Sequence, residues 1–183
     1  MGMRCPWGDS DDLMRDYHDN RWGKPVHDDR ELFAMLALEG QQAGLSWSLI
    51  LKREAAYRAA FDGFDPQVIA AYDDARIEEL LACDGLIHNR RKMLSVRTNA
   101  QAFLRVQQEF GSFDVYIWGF ADGCTIDHRL ARQDDMPAFD DLSKRVSRDM
   151  KKRGFTFVGP TIVYSYLQAI GVINDHILEC PYR

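Results

Sequence analysis

No apolar run in this 183-residue chain approaches the roughly 20 residues that span a bilayer. The opening stretch, MGMRCPWGDSDD, has no apolar signal segment. The protein is therefore expected to be cytoplasmic, with no membrane partner. Cysteine is scarce, four in all, which argues against the disulfide frameworks of exported domains. Cys83 and Cys124 are expected as free thiols, with a Cys83–Cys124 pair the alternative. Internal repeats and low-complexity tracts are absent, and strand signals are sparse. Excess positive charge is also missing. The net charge is −5, which disfavours broad, non-specific attraction to nucleic acid, since that rests on neutralising phosphates.

What is present suits a globular helical protein of one domain or two small lobes. Its charge is unevenly placed. Arg90, Arg91, Lys92 and Arg97 form one basic cluster, and residues 144–153 form another. Acid gathers at Asp9, Asp11 and Asp12 and at Asp134-Asp135. Solvated helix faces account for such clusters most simply, and a local basic face on an acidic protein is the functional alternative.

Helix starts recur along the chain. Asp28 with Glu31 has the form of a capping box before Leu32, Phe33, Leu36 and Ala37. The spacing predicts further helices over about 46–61, 89–110 and 141–153, and an apolar one opened by Pro160. Asp65-Pro66 reads as an N-cap with proline at the first helical position. Asp74 is the expected cap for Ile77, Leu80 and Leu81, and Ser112 the cap of a short helix. Residues 121–138 look polar and irregular. The predicted class is all-α, a compact bundle in two lobes.

Three groups of residues carry possible chemistry. Cys5 and His18 near one end, with His176 and Cys180 near the other, offer two thiolates and two imidazoles, a set that suits tetrahedral zinc. The spacing is not that of a zinc finger. Spacing alone leaves these four between a metal site and ordinary buried or unpaired side chains. The second group lies around Gly85, where a helix, a tight turn and a second helix follow one another. Gly85 permits a left-handed turn. The next helix N-terminus offers free N–H groups to a phosphate. Arg90, Arg91 and Lys92 in that first turn oppose the helix dipole, which hints at function. An ordinary helical hairpin is the plainer alternative. The third group is aromatic and polar, spanning residues 17–23 and 38–47. Trp47, Trp22 and Tyr17 could present flat faces to a base. Glu39 could accept hydrogen bonds from an exocyclic amine. Taken singly, each tryptophan is better explained by the core, and Glu39 by the surface.

Together these segments resemble the 3-methyladenine DNA glycosylase I family. The resemblance covers nearly the whole chain. It is carried by Arg4-Cys5, Trp7, Tyr17-His18-Asp19-Asn20, Trp22-Gly23 and the block Leu38-Glu39-Gly40-Gln41-Gln42-Ala43-Gly44-Leu45-Ser46-Trp47. It continues through Lys151 to Gly159 and ends at Asn174-Asp175-His176 and Cys180. The resemblance implies a single glycosylase domain over 1–183, with a helix-hairpin-helix element at about 74–110 and a zinc site joining the termini. It implies structural zinc on Cys5, His18, His176 and Cys180. It places Tyr17, Trp22, Glu39, Trp47, Trp7 and Ser165 in a base pocket, with Glu39 as the reacting-site carboxylate. Gln42, Gly44 and Leu45 become a DNA-wedging loop, and Gly85, Arg90 and Arg91 a backbone grip. Met14 departs from the family, where a tyrosine is expected.

The implied reaction is hydrolysis of the N-glycosidic bond of N3-methyladenine in alkylated double-stranded DNA. The base would be flipped out, leaving free 3-methyladenine and an abasic site. An ionised Glu39 would favour the cationic base. No strand cleavage is expected, and the protein is expected to act as a monomer. Whether a catalytic aspartate lies among Asp114, Asp122, Asp127, Asp134 and Asp135 is open at this level. A damage-binding module that holds the base without releasing it is the competing class.

Overall fold

The computed structural model describes residues 3–183. Its helices start where a short polar side chain can take up a free backbone N–H. Asp11 accepts from the Met14 amide and opens α1, Asp12–Asn20. Asp28 accepts from the Glu31 amide and opens α2, Asp29–Gln42. Ser46 caps α3, Trp47–Ala60. Asp65 caps α4, Pro66–Ala70, with proline in its first turn. Asp73, not Asp74, caps α5, Asp74–Ala82. Asn89 caps α6, Arg90–Phe110, and Ser112 caps α7, Phe113–Gly119. Asp140 caps α8, Asp141–Lys152. Pro160 sits in the first turn of α9, Pro160–Ala169.

Three departures from the sequence pattern have physical causes. The capping box at Asp28 is half made, because the Glu31 carboxylate turns away to Arg58. Helix α1 escaped the periodicity because it is short and mostly charged, burying only Met14, Tyr17 and His18. The irregular stretch holds β1, Ile126–Asp127, which pairs in parallel with β2, Ile173–Asn174. Two residues are too few to leave an alternating pattern.

Helix α2 sits at the centre. It packs against α3, α6, α7 and α9, and every residue from Leu32 to Gln41 is buried. A helix enclosed on all faces must be apolar on all faces, which the run LFAMLAL satisfies. The two polar residues near its end, Glu39 and Gln41, are carried into the interior with it. Phe33, Phe103 and Phe113 stack where α2, α6 and α7 meet. Among the described residues, no helix is long and apolar enough to cross a membrane. All four cysteines are free thiols, so Cys83 and Cys124 do not pair.

Candidate functional site

A pocket of about 230 Å³ opens between α1, the end of α2, the start of α3 and α9. Trp7, Tyr17, Trp22, Glu39, Trp47 and Ser165 all line it. Those six are far apart in sequence. They meet because α2 and α9 pack together and α1 lies across α3. Met14, Gln42, Met136 and Gln168 complete the lining. Drug-sized ligands take pockets of roughly 300–1,000 Å³, so this one suits a single flat base better than a whole nucleotide.

The rings are arranged edge to face. Trp7 meets Trp22 at 4.9 Å and 81°, and Tyr17 meets Trp47 at 5.4 Å and 55°. A base held between two rings needs about 7 Å, twice the carbon–carbon contact distance. Tyr17 and Trp47 stand closer than that. The Trp47 indole N–H is buried without a partner among the described residues.

Glu39 is the one carboxylate in the lining. It is 3% exposed, and no protein group hydrogen-bonds its side chain among the described residues. Burial pushes its carboxyl up to about 8. That value leaves the carboxyl mostly protonated at neutral pH. Glu39 is not the surface residue that its place near a helix end allowed. Of the five aspartates between Asp114 and Asp135 that were open as catalytic groups, none lines the pocket. No lysine lines it either.

Gln42 ends α2, and the loop after it carries Gly44 and Leu45. The Leu45 amide donates to the Gln42 carbonyl at 2.6 Å, and Gln42 Nε2 donates to the Leu45 carbonyl at 2.7 Å. Gly44 is exposed, with φ +77, and Leu45 leans against the core. The hairpin lies on the neighbouring elements α5 and α6. Gly85 adopts φ +89, and a Cβ there would stand 3.1 Å from the Ala56 side chain, so the turn needs glycine. Arg90 pairs with Glu78, while Arg91 is exposed with no partner among the described residues. Lys92 departs from the expected basic cluster. It is 5% exposed and points inward to the C-terminal end of α2.

A second site joins the chain ends. One ligand atom each from Cys5, His18 and Cys180 lies within 4.8 Å of the others, all buried. The group can hold a metal ion. His176 stands beside it, its ring 4.8 Å from that of His18. His176 Nε2 is buried without a partner among the described residues. His18 Nδ1 donates to Asp19 at 2.7 Å, and Asp19 is itself gripped by Arg4. His176 Nδ1 donates to the Asn174 side-chain oxygen at 2.9 Å. That oxygen also accepts the His176 backbone N–H, which settles its identity. Both imidazoles thus carry their proton on Nδ1 and leave Nε2 unprotonated, His18 Nε2 meeting the Cys180 thiol at 3.7 Å, the usual arrangement of metal-binding histidines. Gly23 makes room for this. Its φ is +71, and a Cβ would meet His176 Cε1 at 2.9 Å.

Met136 and Gln168 are lining residues that the sequence did not single out. Gln168 could have been noticed as the one amide side chain in a largely apolar helix. Its amide donates to the buried Asp175 at 2.6 Å. Met136 follows a short 3-10 turn whose position depends wholly on packing.

Comparisons with known proteins place the chain in a family. The methyladenine glycosylase family model matches residues 7–183. DNA-3-methyladenine glycosylase 1 of Escherichia coli (strain K12) is 41% identical over 177 residues, spanning 97% of this chain and 95% of that protein. The DNA-3-methyladenine glycosylase of Haemophilus influenzae is 39% identical over 181 residues, spanning 99% of this chain and 98% of that one. A solved structure addressing 3-methyladenine recognition by 3-methyladenine DNA glycosylase I of Staphylococcus aureus superposes with a TM-score of 0.95. It is 37% identical, and the match covers 97% of this chain and 95% of that chain.

Proposed function

The chain belongs to the methyladenine glycosylase family, and we propose that it removes 3-methyladenine from DNA by taking the base into the pocket over Glu39. One observation carries the assignment of roles. Glu39 is the single carboxylate in an aromatic pocket and has no protein partner among the described residues. Its side chain faces the pocket and is free to accept hydrogen bonds from a ligand.

The reaction follows from the charge on the base. Methylation at N3 makes the attached base cationic. A cation over an indole face gains roughly 1–2 kcal/mol when desolvated. Its charge also makes ionisation of Glu39 favourable, and the carboxyl proton leaves to solvent as the pair forms. The C1′–N9 bond then breaks, with its electron pair passing to the base and neutralising it. Water gives hydroxyl to the sugar and a proton to solvent. The leaving group is already activated, so a general acid is dispensable. A neutral purine lacks both that activation and the pairing with Glu39, and stays attached. The lysine-free lining supports a monofunctional enzyme that leaves an abasic site without cutting the strand. Leu45 fills the space the base vacates, with Gln42 and Gly44 shaping its loop. Gly85, Arg90 and Arg91 hold the phosphate backbone of duplex DNA. The enzyme works as a monomer.

Cys5, His18, His176 and Cys180 together bind one zinc ion. The two unprotonated Nε2 atoms and two thiols match its preferred donors, and four protein ligands leave no position for a catalytic water. Bound zinc supplies a clasp between the two ends of the chain, far apart in sequence but adjacent in the fold.

The test uses duplex DNA treated with a simple methylating agent. Purified protein is added, and released bases are separated by chromatography, with a Glu39→Ala variant in parallel. Free 3-methyladenine that depends on Glu39 is the expected result. Tight binding without any release would favour a damage-binding module.

A further inference from the structure

The base pocket and wedge belong to the function already proposed, but Lys92 belongs to neither. Its ammonium is buried and pairs with no carboxylate among the described residues. It donates instead to the carbonyls of Gln41 at 2.7 Å and Ala43 at 2.8 Å. These are among the last carbonyls of α2 and its cap, where the helix dipole favours a cation. The bond to Ala43 reaches the first residue of the loop that carries Gly44 and Leu45.

The same lysine is tied to the hairpin. Gln41 Nε2 returns a hydrogen bond to the Lys92 carbonyl at 3.1 Å. Tyr57 donates its hydroxyl proton to Gln41 Oε1 at 3.3 Å and accepts the Ile87 amide at 3.1 Å. Ile87 lies in the turn that Gly85 opens. A continuous polar chain therefore runs from the hairpin turn through Tyr57 and Gln41 to Lys92 and the wedge loop. Gln41, Tyr57 and Lys92 are all at least 95% buried. Buried networks of this kind hold one geometry, because each broken link strands a desolvated partner.

We propose that Lys92 is a positioning residue that fixes the Leu45 wedge relative to the Gly85 hairpin, so that gripping the backbone and filling the vacated stack happen in register. This rests on the roles proposed above for Leu45 and the hairpin. Lys92 never touches the base. Its effect is confined to substrates from which a base must be levered out. A single strand makes no such demand, since unstacking there costs least.

The experiment compares wild type, Lys92→Met, Leu45→Ala and the double variant. Each is assayed for single-turnover release from methylated duplex DNA, release from methylated single strands, and binding of free 3-methyladenine. Lys92→Met is expected to slow release from duplex by about tenfold, with single-strand release and free-base binding within about twofold of wild type. Leu45→Ala should show the same pattern. Lys92→Met should add no more than about twofold in the Leu45→Ala background, the non-additivity of two residues acting through one element. If Lys92→Met fails to fold, Tyr57→Phe breaks the same chain at one hydroxyl and is expected to give a smaller loss with the same substrate dependence. Wild-type duplex rates for Lys92→Met beside a slow Leu45→Ala overturn the proposal. So does an equal loss on single strands or of free-base binding, or full additivity in the double variant. Wild-type duplex rates for Leu45→Ala overturn the wedge itself, and this inference with it.

Discussion

Replacing Glu39 with glutamine should stabilise the free protein, and increasingly so as pH rises. Burial holds the folded carboxyl at about 8, against an ordinary value of 4.5. Between those values the folded state keeps a proton that the unfolded state has released. Stability of the wild type therefore falls as pH rises through this window. Below pH 4.5 both states are protonated and the penalty vanishes. Above pH 8 it is complete, at most about 5 kcal/mol for a gap of this size. The pocket admits water, so the measured figure should be smaller, on the order of 2–3 kcal/mol. Glutamine has the same shape and never ionises, so it escapes the penalty. The assay is paired denaturant unfolding of wild type and Glu39→Gln from pH 5 to 9 under identical metal loading. The stability difference should be smallest at pH 5, widen in favour of the variant to pH 8, and then level off. Parallel pH profiles would refute the claim that Glu39 sits desolvated and unpaired in the base-free pocket. The same variant should bind and release 3-methyladenine less well. A group that weakens the free fold while serving the ligand is a common trade at functional sites.

Three further outcomes are expected. Wild-type protein should carry one zinc per chain by elemental analysis, and His176→Ala should lose it. If that removes even 3 kcal/mol from the clasp, the melting temperature falls by roughly 6–12 °C in a chain of this size; an unchanged melting curve in a metal-free preparation would argue against the clasp. Arg91→Ala should weaken duplex binding evenly across sequences and reduce the slope of log affinity against log salt by about 1. A slope equal to that of wild type would take Arg91 off the phosphate backbone. Gly85→Ala should cost about 1–2 kcal/mol from its left-handed backbone alone, more if Ala56 cannot yield, and thermal melting would read it.

Much of this protein is legible in one dimension. Helix starts are local events, and Asp28, Ser46, Asp65, Asn89 and Ser112 cap the helices they precede. The pocket was legible for another reason. The family resemblance pointed to Trp7, Tyr17, Trp22, Trp47 and Ser165, and all five line one cavity with Glu39. Met136 and Gln168 left no such mark. Their side chains reach the pocket only because a loop and a helix distant in sequence pack there.

By itself, then, the sequence determined the helical class, most helix boundaries, the family and the chemical kinds of side chain at both sites. Each of these depends on local spacing or on residue identity. Tertiary structure alone decided the states of those side chains. It buried Glu39 at the end of an enclosed helix and so made it neutral before substrate. It turned Lys92 away from the exposed basic cluster and onto the last carbonyls of α2. It also brought His176, with its free Nε2, beside Cys5, His18 and Cys180. Desolvation, dipole alignment and ligand geometry are set by what surrounds a group in space, and spacing along the chain does not encode that.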